Sequence, residues 1–205
     1  NWHPGQLLAF SGLDGPTEYD HGLVARTTGN SAALQIVHPG TCRLRFSSSG
    51  EGRFLIASDT FSSETDEGRT RGAFLDAHHL LIHGPCEVSG VPPELTVIQD
   101  GDRALVGTST YFDAGRIQAD LDAACSERLV WLASRSSPPG LPETSRRAFA
   151  KALSQMKGQV STAEGAIHHR WTTPDRWPHR AMWLWDSAFH AIGWRHIDVG
   201  LARDA

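Results

Sequence analysis

Through Ser109 the chain alternates short runs rich in Val, Ile, Leu, Phe and Thr with clusters of Gly, Pro, Ser and Asp. That is the pattern of strands separated by turns. The runs predict strands at Leu7–Ser11, Gly22–Thr28, Ala32–His38, Cys42–Ser47, Arg53–Ser58, Gly72–Leu75, His79–His83, Leu95–Gln99 and Arg103–Ser109. Turn signals lie between them at Asp14-Gly15-Pro16, Gly29-Asn30, Pro39-Gly40, Ser49-Gly50, Pro92-Pro93 and Asp100-Gly101. No helical crossover intervenes, so an antiparallel β-sandwich is expected rather than a parallel sheet.

Near Asp113 the period changes. Ile117, Leu121, Ala124, Cys125, Leu129 and Leu132 recur at helical spacing and predict a helix over Ile117–Ala133. Ser136-Ser-Pro-Pro-Gly140 breaks it. A second helix is expected over Glu143–Lys157, with Phe149, Leu153 and Met156 on one face and Gly158 closing it. Val160–Trp171 reads as extended or looped, with a hairpin around Ala163-Glu-Gly165 as one form of it. After Pro178 the chain is expected to stay extended through Trp183-Leu-Trp185, which would put both indoles on one side. Asp186 then fits an N-cap for a helix over Ser187–His196, and Asp198 an N-cap for Val199–Ala205. Phe189, Ile192, Trp194 and Leu201 on these helices lack partners in the sequence, so the chain is expected to be the N-terminal portion of a longer protein. The fold class expected is multidomain β plus α: a β-sandwich domain over 1–116, a helical linker over 117–142, and a helical region over 143–205.

Composition narrows the classes. The chain has 205 residues, 40% of them hydrophobic and 20% charged, as a folded globular protein has. A formal net charge of −4 gives no overall attraction to nucleic acid or anionic membrane. Cys42, Cys86 and Cys125 are too few and too scattered for a disulfide framework or a zinc knuckle. No stretch approaches a transmembrane length, and no signal-like segment is present. The chain begins at Asn1, which leaves the compartment open, with the cytoplasm favoured.

The chemistry concentrates in one place. Five of the seven tryptophans (Trp171, Trp177, Trp183, Trp185, Trp194) fall in one short region, and Asp186 follows directly on a Trp-x-Trp pair. Aromatic faces beside a carboxylate suit a sugar: the rings cover the apolar C–H face of a pyranose and the carboxylate holds its hydroxyls or a water. Thr173-Pro-Asp-Arg-Trp-Pro-His-Arg-Ala-Met-Trp-Leu-Trp-Asp-Ser-Ala-Phe-His-Ala-Ile-Gly193 resembles the first active-site motif of glycoside hydrolase family 63 and its bacterial relatives, the α-glucosidases and the glucosylglycerate and mannosylglycerate hydrolases. At motif level the resemblance covers Ala148–Ala205; the β part is similar only in architecture.

The resemblance implies a β-sandwich, a helical linker and the first helices of an incomplete (α/α)6 toroid over 143–205. It implies an inverting hydrolase of α-glucosides or α-mannosides, whose two carboxyls stand roughly 6.5–9.5 Å apart to admit water. Asp186 would hold sugar hydroxyls or orient the water at the −1 subsite, as neither acid nor base. The acid and base would come from later helices, supplied by the remainder of the toroid in the same or another chain. Trp185, Trp183, Trp177, Arg180 and His179 would bind substrate, with Arg176, His179 and Arg180 suited to a glycerate-type carboxylate. Ala181 departs from the more polar residue common in the family, which bears on fine specificity.

Each residue has a second reading. Asp186 is also a plain helix cap. Trp183 and Trp185 suit a core as well as a pocket wall, and Trp177 suits a loop brace. Arg176, His179 and Arg180 can pair with Asp175 or another acid. The histidines 168, 169, 179 and 190 carry no zinc spacing, so no metal and no organic cofactor is expected, and His190 reads as a hydrogen-bonded structural histidine. Phe10–Gly22 reads as a solvated loop by default, or else as a segment that reaches the toroid and lines the pocket. Rival functions are a non-catalytic carbohydrate-binding β-sandwich and a related sugar phosphorylase or trehalase. Single-strand nucleic-acid binding through Arg170, Arg176 and Arg180 interleaved with Trp171 and Trp177 is opposed by Asp175, Asp186 and the net charge.

Overall fold

The computed structural model describes residues 7–10, 22–28, 32–49, 52–56, 59–135, 137–161, 163, 166–175, 179 and 181–205. Residues 11–21, for which a loop is expected, 29–30, for which a turn is expected, 164–165, within the expected hairpin, and Arg176, Trp177 and Arg180 lie outside the described residues.

The first part is antiparallel β, as the alternating pattern implies. Its strands are β1 (Leu7–Ala9), β2 (Val24–Thr27), β3 (Ala33–His38), β4 (Cys42–Arg45), β5 (Arg53–Ile56), β6 (Thr60–Thr65), β7 (Gly68–Asp76), β8 (His79–His83), β9 (Glu87–Ser89), β10 (Leu95–Asp100) and β11 (Arg103–Thr108). They form a five-stranded sheet, β1-β2-β3-β4-β9, and a six-stranded sheet, β10-β11-β8-β7-β6-β5. Strand β4 buries Cys42 and Leu44 and exposes Arg43 and Arg45, the period-two signature of a sheet wet on one face. Leu34, Ile36 and Leu44 of the first sheet share one buried cluster with Phe74, Leu80, Ile82 and Val106 of the second.

Two strands were not legible in the sequence. Thr60–Thr65 is Ser/Thr-rich, yet it pairs along its whole length with β7, which begins at Gly68 rather than Gly72. Glu87–Ser89 is a short edge strand against β4. Pairing partners, not local propensity, make both of them strands.

The tight turns follow the chemistry expected of them. Asp100 pairs with Arg103 across Gly101-Asp102, and Gly101 has φ +59°. Gly84 has φ +111°, and a Cβ there would run into the Arg69 carbonyl oxygen and approach Thr70 Cα to 2.9 Å. Gly84→Ala is therefore expected to cost roughly 1–3 kcal/mol. Urea unfolding measures this; a midpoint equal to that of the parent protein would refute it.

The linker does not start as one helix. A 3-10 segment, Ala114–Gln118, precedes α1 (Leu121–Ala133). Asp113 caps the first, accepting from the Gly115 N–H, and Asp120 caps the second, accepting from the Ala123 N–H at 3.0 Å. The helix predicted from Ile117 was too early because two capping aspartates interrupt the apolar spacing. Ile117 and Leu121 pack on Ala73, Leu81 and Leu105, on the far side of the six-stranded sheet. Strand β8 is buried on both faces, which is why His79-Leu-Leu-Ile-His reads as a continuous apolar run.

His79 locks the linker to the sheet. Its Nδ1 lies 2.8 Å from Asp76 Oδ1, and its Nε2 accepts from the Asp113 N–H at 2.9 Å. The ring is therefore the Nδ1–H tautomer. Burial pushes the Asp76 carboxyl up, but the hydrogen bonds from His79 and from the His78 N–H, with Arg116 nearby, outweigh this and hold it below its ordinary value. A carboxyl depressed by folding adds stability that is complete above its unfolded pKa and is lost as pH falls through the folded one. Stability is thus expected to fall on acidification below about pH 4. The difference in urea midpoint between about pH 6 and about pH 3 should shrink in Asp76→Asn. An unchanged difference would take Asp76 out of the acid response.

The helical part contains α2 (Glu143–Lys157), the short ladder β12 (Val160–Ser161) with β13 (Trp171–Thr172), α3 (Leu184–Trp194) and α4 (Val199–Asp204). Helix α2 has the predicted ends. Gly158 is its C-cap but keeps a right-handed conformation, φ −66°, with its N–H donating to the Ser154 carbonyl at 3.2 Å. Strands β12 and β13 pair antiparallel, Val160 with Thr172 and Ser161 with Trp171. Leu153, Val160, Trp194 and Leu201 form a third buried cluster, joined by Trp131 and Leu132 of α1. Trp194 and Leu201 thus find partners within the chain, contrary to expectation. Phe189 and Ile192 remain exposed. Among the described residues no helix is long and apolar enough to cross a membrane.

Candidate functional site

Helix α3 carries the aromatic–acid motif, and it starts earlier than expected. Its first residue is Leu184 and its N-cap is Trp183, which makes no side-chain capping bond. The Ser187 N–H donates to the Trp183 carbonyl at 2.9 Å. Asp186 therefore sits inside the first turn and is not the cap; there the helix dipole favours its negative charge. A further expectation falls with the extended reading. The period of two that would put Trp183 and Trp185 on one side applies to a strand, and Trp185 is helical. Each indole has its own partner: Trp185 meets Phe189 edge-on at 5.1 Å, and Trp183 meets His179 edge-on at 6.4 Å. The Trp185–Phe189 pair spans one helical turn and exists only if the helix begins before Trp185.

The inner face of α3 docks through a polar contact near its start and an indole at its end. The Thr172 hydroxyl donates to Ser187 Oγ at 3.2 Å, and both residues are buried. Trp194, the last residue of α3, is fully buried and meets Trp131 edge-on at 6.4 Å. Arg135 and Lys157 lie 5.3 and 5.1 Å from the Trp131 ring centre. At the other end the Asp198 side chain accepts from the Leu201 N–H at 3.0 Å, the cap expected for α4. The preceding segment is pinned as well: the Thr173 N–H donates to the Gln159 carbonyl at 2.9 Å, and the Gln159 amide donates to the Pro174 carbonyl at 2.8 Å.

The outer face of α3 is the opposite. Trp185 is 74% exposed and Leu184 89%; Met182, Trp183, Phe189, Ile192 and Val199 are exposed with them. Asp186 is half-buried between the two faces. The structure thus brings Asp186, Trp185, Trp183 and His179 to one end of α3. His179 Nδ1 is also 3.6 Å from Asp175 Oδ2, the ion-pair reading considered for it. Trp177 and Arg180 lie outside the described residues. Phe189 was missed as a member of the aromatic group; correct helical phasing from Leu184 would have placed it beside Trp185.

Arg170 donates to Asp204 Oδ2 at 2.7 Å, so one of the arginines suited to phosphate contacts is committed to α4. His190 does not fit the hydrogen-bonded structural reading. Its Nδ1 is sealed from solvent with no partner among the described residues. Among the described residues no group of three or more His, Cys, Asp or Glu is placed to hold a metal ion.

The aromatic–acid end of α3 is the candidate site. No family model matches the chain. No curated protein matches it either.

Proposed function

We propose that the chain is part of an inverting glycoside hydrolase acting on α-glucosides or α-mannosides, and that the start of α3 forms part of its −1 sugar subsite. The observation that carries this reading is the exposed Trp185–Phe189 ring pair and the exposed Trp183, which flank the half-buried Asp186 at the start of α3. Aromatic rings left open to water are costly unless something covers them. Next to a carboxylate that can take hydroxyl protons, a sugar is the ligand that uses both. The motif resemblance supports the same assignment. Asp186 positions sugar hydroxyls or the attacking water, Trp185 and Trp183 form walls of the subsite, and His179, Trp177 and Arg180 bind substrate with them. Two sheets sharing one buried cluster support a β-sandwich ahead of the helical linker. Leu184, Ile192 and Val199 are aliphatic and suit helix packing rather than a sugar. They are assigned to the remaining helices of an (α/α)6 toroid, from the same or another chain, which bring the general acid and base.

The test is sugar release by the protein that carries this chain with a complete toroid. α-Glucosides and α-mannosides, including glycerate-linked ones, are followed by proton NMR. Inversion predicts that the β-anomer appears first. Release of a sugar 1-phosphate only in the presence of phosphate would reassign the protein as a phosphorylase. No release from any of these substrates would overturn the enzyme reading.

A further inference from the structure

One polar side chain near Asp186 has no part in the subsite proposed so far. His190 lies one helical turn after Asp186 on α3, where side chains four apart are neighbours about 5–6 Å apart at Cβ. The ring is half-buried. Of its two nitrogens, Nδ1 is sealed from solvent with no partner among the described residues. A sealed N–H with nothing to accept it is a rarer orphan than a sealed lone pair. The single proton of the neutral ring therefore sits on Nε2, which makes Nε2 a donor and leaves Nδ1 a bare lone pair.

Resting on the glycosidase reading, we propose that His190 donates a hydrogen bond from Nε2 to a hydroxyl of the bound sugar beside Asp186, as a specificity-determining residue and not as an acid or a base. The pairing is chemically complete. A hydroxyl donates its proton to the Asp186 carboxylate and accepts from the imidazole, so both of its hydrogen-bonding roles are filled from one helix face. Trp185 and Phe189, the residues directly before Asp186 and His190, pack edge-on with each other and would supply the apolar cover. The charge environment agrees. Burial holds the imidazole below its ordinary pKa, opposed only by Asp186. Helix α4 and strand β13, which pack on α3, set no other charged group against it among the described residues. The ring is thus neutral near pH 7, as a donor with one fixed proton must be.

A site that hydrogen-bonds a hydroxyl rejects the substrate lacking it far more strongly than an apolar pocket can. The experiment is sugar release from an α-glucoside and its monodeoxy analogues by the parent protein, His190→Phe and His190→Gln. His190→Phe is expected to raise KM at least about tenfold for the parent glucoside and to abolish discrimination against one deoxy-glucoside. His190→Gln, which keeps an N–H donor, is expected to restore much of that discrimination. The acid limb of the pH profile should not move in either variant, as it would if His190 were the acid or the base. Unchanged discrimination in a folded His190→Phe overturns the proposal while leaving the glycosidase reading intact. No sugar release by the parent protein overturns the glycosidase reading, and the sugar as acceptor with it. Nitrogen-15 NMR of the histidine rings decides the donor assignment without any activity: a neutral Nε2–H tautomer is expected at His190, and Nδ1–H would refute it.

Discussion

Replacing Asp186 by Asn should lower turnover of the cleaved α-glycoside by at least about a hundredfold, the scale expected when substrate or water is misplaced at the reacting centre. The change keeps the shape of the side chain and removes its charge. Asn can still meet a hydroxyl, but it places an N–H where the proposed site offers a second acceptor oxygen. The stability cost should be small. Asp186 lies in the first turn of α3, where its charge is worth roughly 0.3–1 kcal/mol against the helix dipole, and it caps nothing. A melting curve close to that of the parent protein, together with lost turnover, separates a role in chemistry from one in folding. Unchanged turnover would remove Asp186 from the mechanism.

The largest expected effect on stability comes from the opposite end of the same helix. Trp194→Ala should cost about 3–5 kcal/mol, as removal of a buried aromatic does. Trp194 is 0% exposed and packs among Leu153, Val160 and Leu201, with Trp131 edge-on to its ring. It joins α3 to α1, α2 and α4 at once. Gly193 lies beside it, and a Cβ there would come 2.6 Å from Met156 Cε, so the end of that side chain would have to shift. Urea unfolding followed by the helical circular dichroism signal should show the loss. Trp185→Ala, on the exposed face, should change stability by no more than about 0.5 kcal/mol, as surface substitutions do. Equal losses in the two variants would mean that α3 is not held by its Trp194 end. The pair also separates the tryptophans by role. Trp194 builds the scaffold, and Trp185 is open to a ligand or a partner helix.

That division was only half visible in the sequence. The alternation of apolar and polar residues was enough to place most strands of the β part, because a strand that buries one face must alternate. Cys42-Arg-Leu-Arg45 shows this directly. The same holds for α2, whose single apolar face and flanking breakers set its ends at Glu143 and Lys157. Asp198 as a cap was legible too, because a cap is a local bond between neighbours. The aromatic–acid cluster and its carboxylate were visible as composition.

What the tertiary structure decided depends on partners distant in sequence. Thr60–Thr65 became a strand because β7 was there to pair with it. Asp186 moved from cap to first turn because α3 begins at Leu184, where Trp185 can pack on Phe189. Trp194 and Leu201 were buried by Leu153 and Val160, and Trp131 of the linker closed the same cluster. No local rule names those neighbours. An indole before a helix and an indole at its end look alike in a sequence, and only packing decides which faces the core and which is left open. The sequence by itself determined most of the strands, the bounds of α2 and the clustering of aromatic and acidic residues near Asp186. The tertiary structure decided which of those side chains are committed to holding the fold and which remain free to act.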